Sequence, residues 1–225
     1  MSDLFIQGTE TDPAVRATDD VRHIHDRLRN RLASLADHEP GLAAGFCAGE
    51  LRRHLAAADE ALYGPAAGAP ETRLLIRALR ATSAEIDRRI GTLDTAADPA
   101  AATRALGAVL SVHLAVEETV LLPALAELPG ADVGLMVTDL RTLLDGGRLD
   151  RPGIVDVREI PRGQRHPRIF ARFSRLAPGE SFALVNNHDP KHLRREFELA
   201  HPGAYTWDYE QSGPDLWRIR IGRAA

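Results

Sequence analysis

The stretch 113-HLAVEETVLLPAL-125 decides the fold of the first half of the chain. His113 and Glu117 stand four residues apart, which on a helix puts them on one face, one turn above the other. Around them Leu106, Val109, Leu110, Val116, Val120 and Leu121 recur at helical spacing, so 100–126 reads as a helix that starts after Pro99, with an apolar face holding a histidine and a carboxylate. An earlier stretch, 54-HLAAADEALYGPA-66, repeats the pattern with Ala58 where the second copy has Glu117.

Working outward, 17–37 carries Val21, Ile24, His25, Leu28, Leu32 and Leu35 on one face. Segment 42–63 carries Phe46, Cys47, Glu50, Leu51, His54, Ala58 and Leu62, and 71–93 carries Leu75, Ile76, Leu79, Ile86 and Ile90. Short breaks such as DHEPG and YGPAAGAP force antiparallel neighbours, so the expected fold is an all-α four-helix up-down bundle over 1–145, with 132-DVGLMVTDLRTLLDGG-147 as a further short helix. Residues 146–152, rich in glycine and charge, read as a linker. Beyond it the period changes, and 153–225 is expected to be a small α+β domain of order β-α-β-α-β-β with two helices on one face of the sheet. Its second helix is expected to be capped by Asp189, with Pro190 at the first helical position.

With 44% hydrophobic and 27% charged residues in 225, the chain has the composition of a soluble globular protein. No run approaches the ~18 apolar residues of a membrane span, and the start MSDLFIQGTETDPAV lacks a secretory pattern, so no membrane association and a cytoplasmic location are expected. The single cysteine, Cys47, excludes an internal disulfide and a thiolate-rich zinc site; any metal ligands must be histidine and carboxylate. The overall charge of −4 divides into a more acidic first part and a basic last third, but no basic stripe with interleaved aromatics appears, which argues against nucleic acid as a partner.

One inward histidine is ordinarily a satisfied core residue. Here His25, His54 and His113 lie on the apolar faces of three expected helices, and a buried Glu117 needs a cation, a metal or a strong donor. On these residues, in HIHDRL, HLAAADEALYGP and HLAVEETVLLPAL, the first half resembles the hemerythrin-like family, the HHE cation-binding domain. The resemblance implies a non-haem iron site, with dioxygen, peroxide or nitric oxide as small-molecule ligand and with oxidase or oxygenase chemistry, gas or redox sensing, or carriage as roles. The family pattern also has a carboxylate at the position of Ala58 and a histidine near 69-APETRLL-75, where this chain has Glu71 and Thr72. One iron ion rather than two is therefore expected, held by His25, His54 and Glu117, with His113 as a fourth ligand or a donor behind them. Glu50, one turn before His54, and Glu60 are possible substitutes for the missing carboxylate. A bundle that has lost its metal is the alternative.

The second part resembles the DUF2249 family nearly end to end and looks like the TusA-type sulfur-carrier fold. Where that fold carries Cys-Pro this chain has His166 and Pro167, and the domain has no cysteine, so persulfide relay is not available to it. Arg158, His166, His188, Asp189 and Trp207 are candidates for a C-terminal pocket or for a contact to the bundle or to a protein partner.

Overall fold

The computed structural model describes residues 13–149 and 153–225; residues 1–12 of the expected first domain and 150–152 of the expected linker lie outside the described residues. The N-terminal region is helical: α1 (Pro13–His38), α2 (a continuous run over 40–66), α3 (Pro70–Ile90), α4 (Pro99–Glu127) and the shorter α5 (Val133–Leu144). Aspartates start two of them, Asp98 accepting from the Ala101 amide and Asp132 from the Leu135 amide, each at 2.9 Å.

Two of the long helices are not uniform. Helix α2 contains the π-helical turns Cys47–Leu51 and Asp59–Tyr63, and α4 contains Glu117–Leu121. The last two have a shared cause. Pro65 and Pro123 lie inside continuing helices, where a proline ring would press on the carbonyl four residues back, of Ala61 and Thr119. Both carbonyls fall within π turns, whose wider winding relieves that contact. Helix α4 therefore runs on through Pro123 to Glu127.

Against expectation, α4 is long and apolar enough to cross a membrane by length and composition. Leu106, Leu110, Leu114 and Leu121 are fully buried among the other helices, with His113 and Glu117 between them, while Val112 and Val120 of the same helix are exposed.

The C-terminal part follows the order β1 (Ile154–Asp156), α6 (Arg165–Ser174), β2 (Ser181–Asn186), α7 (Lys191–Ala200), β3 (Tyr205–Gln211) and β4 (Trp217–Arg223). The sheet is mixed, ordered β1-β2-β4-β3, with β1 parallel to β2 and the other pairs antiparallel. Phe182 faces Ile221 and Leu184 faces Ile219 across the β2–β4 ladder; alternation puts all four on one face, where Ile169, Phe170, Phe173, Leu193 and Phe197 join them in the core. Asp189 does not cap α7: Pro190 takes the cap position, and the Asp189 carboxylate instead accepts from the Tyr209 hydroxyl at 2.9 Å.

One core runs through both parts, from Leu62, Ala66 and Val137 to Phe170, Phe173 and Leu176. Close approach requires small residues here. A Cβ on Gly64 would stand 2.3 Å from the Ser174 side chain and one on Gly68 2.1 Å from the Phe170 ring, so both junction positions admit only glycine without rearrangement. Ser174 also donates to the Glu60 carbonyl at 3.2 Å, and Arg175 pairs with Asp139 of α5 at 2.5 Å.

Candidate metal centre

His25 comes from α1, His54 from α2, and His113 with Glu117 from α4; all four are buried, Glu117 and His25 with no measurable exposure. Helical spacing turns each side chain inward, and the neighbours that share its face, such as Val21 and Leu28 beside His25, fix it there by packing. One donor atom each from His25, His54 and Glu117 lies within 4.8 Å of the others.

Glu117 Oε2 is the hub, 3.1 Å from His25 Nε2 and 3.7 Å from His54 Nε2. None of these three atoms, nor His54 Nδ1, has a well-formed hydrogen bond. Buried polar groups in that state are costly and ordinarily find a partner. Burial pushes the Glu117 carboxyl up, yet the contacts from His113, His25 and His54 outweigh it and hold the group ionised, well below the usual carboxylate range. Burial drives the His54 imidazole the other way, lowering its basicity against the attraction of Glu117, so its ring is neutral with a lone pair to offer.

A supporting set orients these groups. His25 Nδ1 meets Glu118 Oε1 at 2.7 Å, and the same oxygen accepts from Arg29 Nη2 at 2.6 Å. This carboxylate–histidine arrangement fixes the ring and directs Nε2 inward. On the other side of Glu117 stands Tyr63, fully buried, whose hydroxyl donates to Glu117 Oε1 in a short hydrogen bond and lies 3.2 Å from His113 Nε2. Burial, together with the Glu117 charge, raises the Tyr63 phenol far above its ordinary range, so the hydroxyl keeps the proton it donates to Glu117. His113 is occupied at both ends, with Thr82 Oγ1 at 2.7 Å from Nδ1.

Sequence reasoning missed Tyr63, which lies nine residues after His54. At ~3.6 residues per turn that is about two and a half turns, the opposite side of a regular helix. The π turn Asp59–Tyr63 changes the phase, and the signal for it was the shared placement of Pro65 and Pro123 after the two histidines. The suggested substitutes do not join the cluster. Glu50 is exposed, because Leu51 takes the inward position in the π turn Cys47–Leu51, and Glu60 is half-buried, outside the His25–His54–Glu117 group. Thr72, in the stretch where the resemblance implied a histidine, is buried and donates to the Ala66 carbonyl at 2.6 Å.

Of the C-terminal candidates, His166, His188 and Asp189 line one cavity of about 410 Å³. Arg158 does not; it pairs with Asp156 at 2.6 Å on the surface. Trp207 packs on Phe197 and Tyr205 instead, with ring centroids at 5.7 and 6.4 Å.

Residues 16–125 match the family described as hemerythrin HHE cation binding domain, and residues 154–223 match the uncharacterized conserved protein family DUF2249. No curated protein and no solved structure matches the chain. A buried histidine–glutamate cluster lies within the first match and fits its description as a cation-binding domain, and the second match begins beyond it.

Proposed function

We propose that the protein holds a single iron ion on His25, His54 and Glu117 and presents it to a small molecule such as dioxygen, nitric oxide or peroxide. The observation that carries this reading is the set of buried donor atoms without a well-formed hydrogen bond, His25 Nε2, His54 Nε2 and Glu117 Oε2, around one point. Two histidines and one carboxylate suit Fe(II) and leave coordination positions open. When bound, the iron would supply reversible ligand binding or one-electron chemistry.

The protein's own residues set the limits of that chemistry. A pair of ions needs a carboxylate free to bridge. Here Tyr63 engages Glu117 Oε1 and also His113 Nε2, so the second oxygen and the fourth-helix imidazole are turned to each other. Tyr63 and His113 thus act as positioning residues that hold Glu117 by one oxygen and direct the other at His25 and His54. A groove of about 460 Å³, lined by Leu79, Val109, Val112 and Val116 with Thr82 and His113 at its polar end, offers an apolar approach to the far side of His113. Its lining favours a small apolar molecule over a charged one.

Metal analysis of protein purified without added metal tests the reading: about one iron per chain is expected, lost in His54→Ala and retained in His113→Ala. Two irons per chain, or none, would overturn it.

A second reading, sensing, is favoured by the contact of Ser174 with the Glu60 carbonyl in the π turn that carries Tyr63. A shift of Tyr63 on ligand binding would reach the DUF2249 segment, and a protein partner of it, by that route. Hydrogen exchange at 165–176, altered by nitric oxide only in the iron-loaded protein, would separate sensing from turnover.

A further inference from the structure

The DUF2249 segment has its own histidine–carboxylate cluster, remote from the helical site. Glu196 on α7 is buried, with 7 % of its surface exposed, yet it is ionisable and no lysine or arginine pairs with it among the described ion pairs. What faces it instead are two imidazoles. His166 Nδ1, at the start of α6, lies 2.8 Å from Glu196 Oε2, and His192 Nδ1, one turn earlier on α7, lies 3.2 Å from Oε1. The rings are nearly parallel with centroids 6.1 Å apart, and one donor atom from each of the three residues lies within 4.8 Å of the others.

The position in the fold is a second and independent sign. His166 and His192 line the cavity of about 410 Å³, together with Val157 just past β1 and Asn186 to Pro190 at the end of β2. β1 and β2 are parallel, so the cavity lies outside the carboxyl ends of neighbouring strands, where open α/β sheets bind ligands. Glu196 Oε2 has no well-formed hydrogen bond despite its burial, which leaves a lone pair directed at the histidines. The two imidazoles leave Glu196 Oε2 without a well-formed hydrogen bond; a divalent cation shared by all three residues would satisfy the buried carboxylate.

We propose that His166, His192 and Glu196 form a second metal site, for a divalent ion of the zinc class. Two imidazole nitrogens and one carboxylate oxygen are the ligand number and type of an open zinc site, with the remaining position facing the cavity. Asn187 and His188 on the cavity wall, the latter already held by the Asn187 side chain at 2.8 Å, stand where a ligand of that ion would lie. This site does not depend on metal occupancy of the helical region.

The test is a zinc chloride titration of full-length protein stripped of metal, followed by equilibrium dialysis. His192 has 82 % of its side chain exposed and His166 44 %, so alanine at both positions spares the core. His166→Ala/His192→Ala is expected to bind one equivalent less than wild type, and His192→Ala alone to weaken that equivalent by at least about tenfold. The same one-equivalent difference is expected when the comparison is repeated in a His54→Ala background, so failure of the helical site to bind metal does not mask the result. Equal zinc stoichiometry and affinity in the double variant and its parent, in both backgrounds, would overturn the proposal.

Discussion

Tyr63 carries the most information of any single side chain in the helical region. Its hydroxyl donates to one oxygen of Glu117 and stands 3.2 Å from His113, whose other nitrogen is taken by Thr82. Groups behind a ligand typically change metal affinity 10–100-fold when removed. Tyr63→Phe is therefore expected to keep about one iron per chain but to weaken it by roughly tenfold, measured by competition with a chelator of known affinity. Unchanged affinity would mean that Glu117 is positioned by other contacts. The inward direction of His25, His54, His113 and Glu117 was legible in the sequence, since each repeats with apolar neighbours at helical spacing. Tyr63 was not, because counting residues assumes regular winding, and the same assumption misplaced Glu50 one turn before His54. Cys47 shows the opposite case: an apolar stripe correctly marks it as a small core residue, and burial raises its thiol to about 11, outweighing the nearby Arg52.

At the scale of elements, the π turns tie local strain to the site. Pro65 and Pro123 each follow a histidine at similar distance, and each has a π turn beneath its ring. The turn in α2 brings Tyr63 into phase with His54, and the turn in α4 begins at Glu117 itself. Proline in a regular helix interior costs about 3 kcal/mol, so its replacement ordinarily stabilises. Pro123→Ala removes the cause of the α4 turn and lets the helix return to regular winding. Thermal stability is expected to hold or rise while iron affinity falls by about tenfold, a loss of about 1.4 kcal/mol in binding. A variant that gains stability and binds iron as tightly as wild type would separate the turn from the site. In the C-terminal part the alternation of strands and helices was readable because the hydrophobic period switches after 152. The cap of α7 was not, because Asp189 turns to Tyr209, a partner 20 residues away.

For the whole molecule, the helical region and the C-terminal part share one core, and their junction is polar as well as apolar. A cavity of about 340 Å³ at that junction is lined by Asp59, Arg80 and Ser83 from the helices and by Phe173, Ser174, His201 and Arg223 from the C-terminal part. His201, just past α7, lies against Phe170 and Phe173 with ring centroids at 5.9 and 4.7 Å. Burial first, then the positive charges of Arg80 and Arg223, lower its imidazole from 6.5 to about 3. Nothing in the sequence marked His201, since its environment comes from residues far apart in the chain. The consequence for stability has a definite sign. Between those two values the unfolded chain binds a proton that the folded protein refuses, so the contribution of His201 is intact above pH 6.5 and is lost as pH falls toward about 3. His201→Phe keeps the aromatic packing and removes the proton site. Denaturant unfolding at pH 7 and at pH 4.5 is expected to show wild type losing more stability than the variant, by on the order of 1 to 3 kcal/mol once partial solvent access is allowed for. Other acid-sensitive groups, the neutral His54 among them, act equally in both proteins and cancel in the comparison. If the variant loses as much stability as wild type over that interval, the buried junction is not where acid acts, and the halves separate, if they do, for another reason.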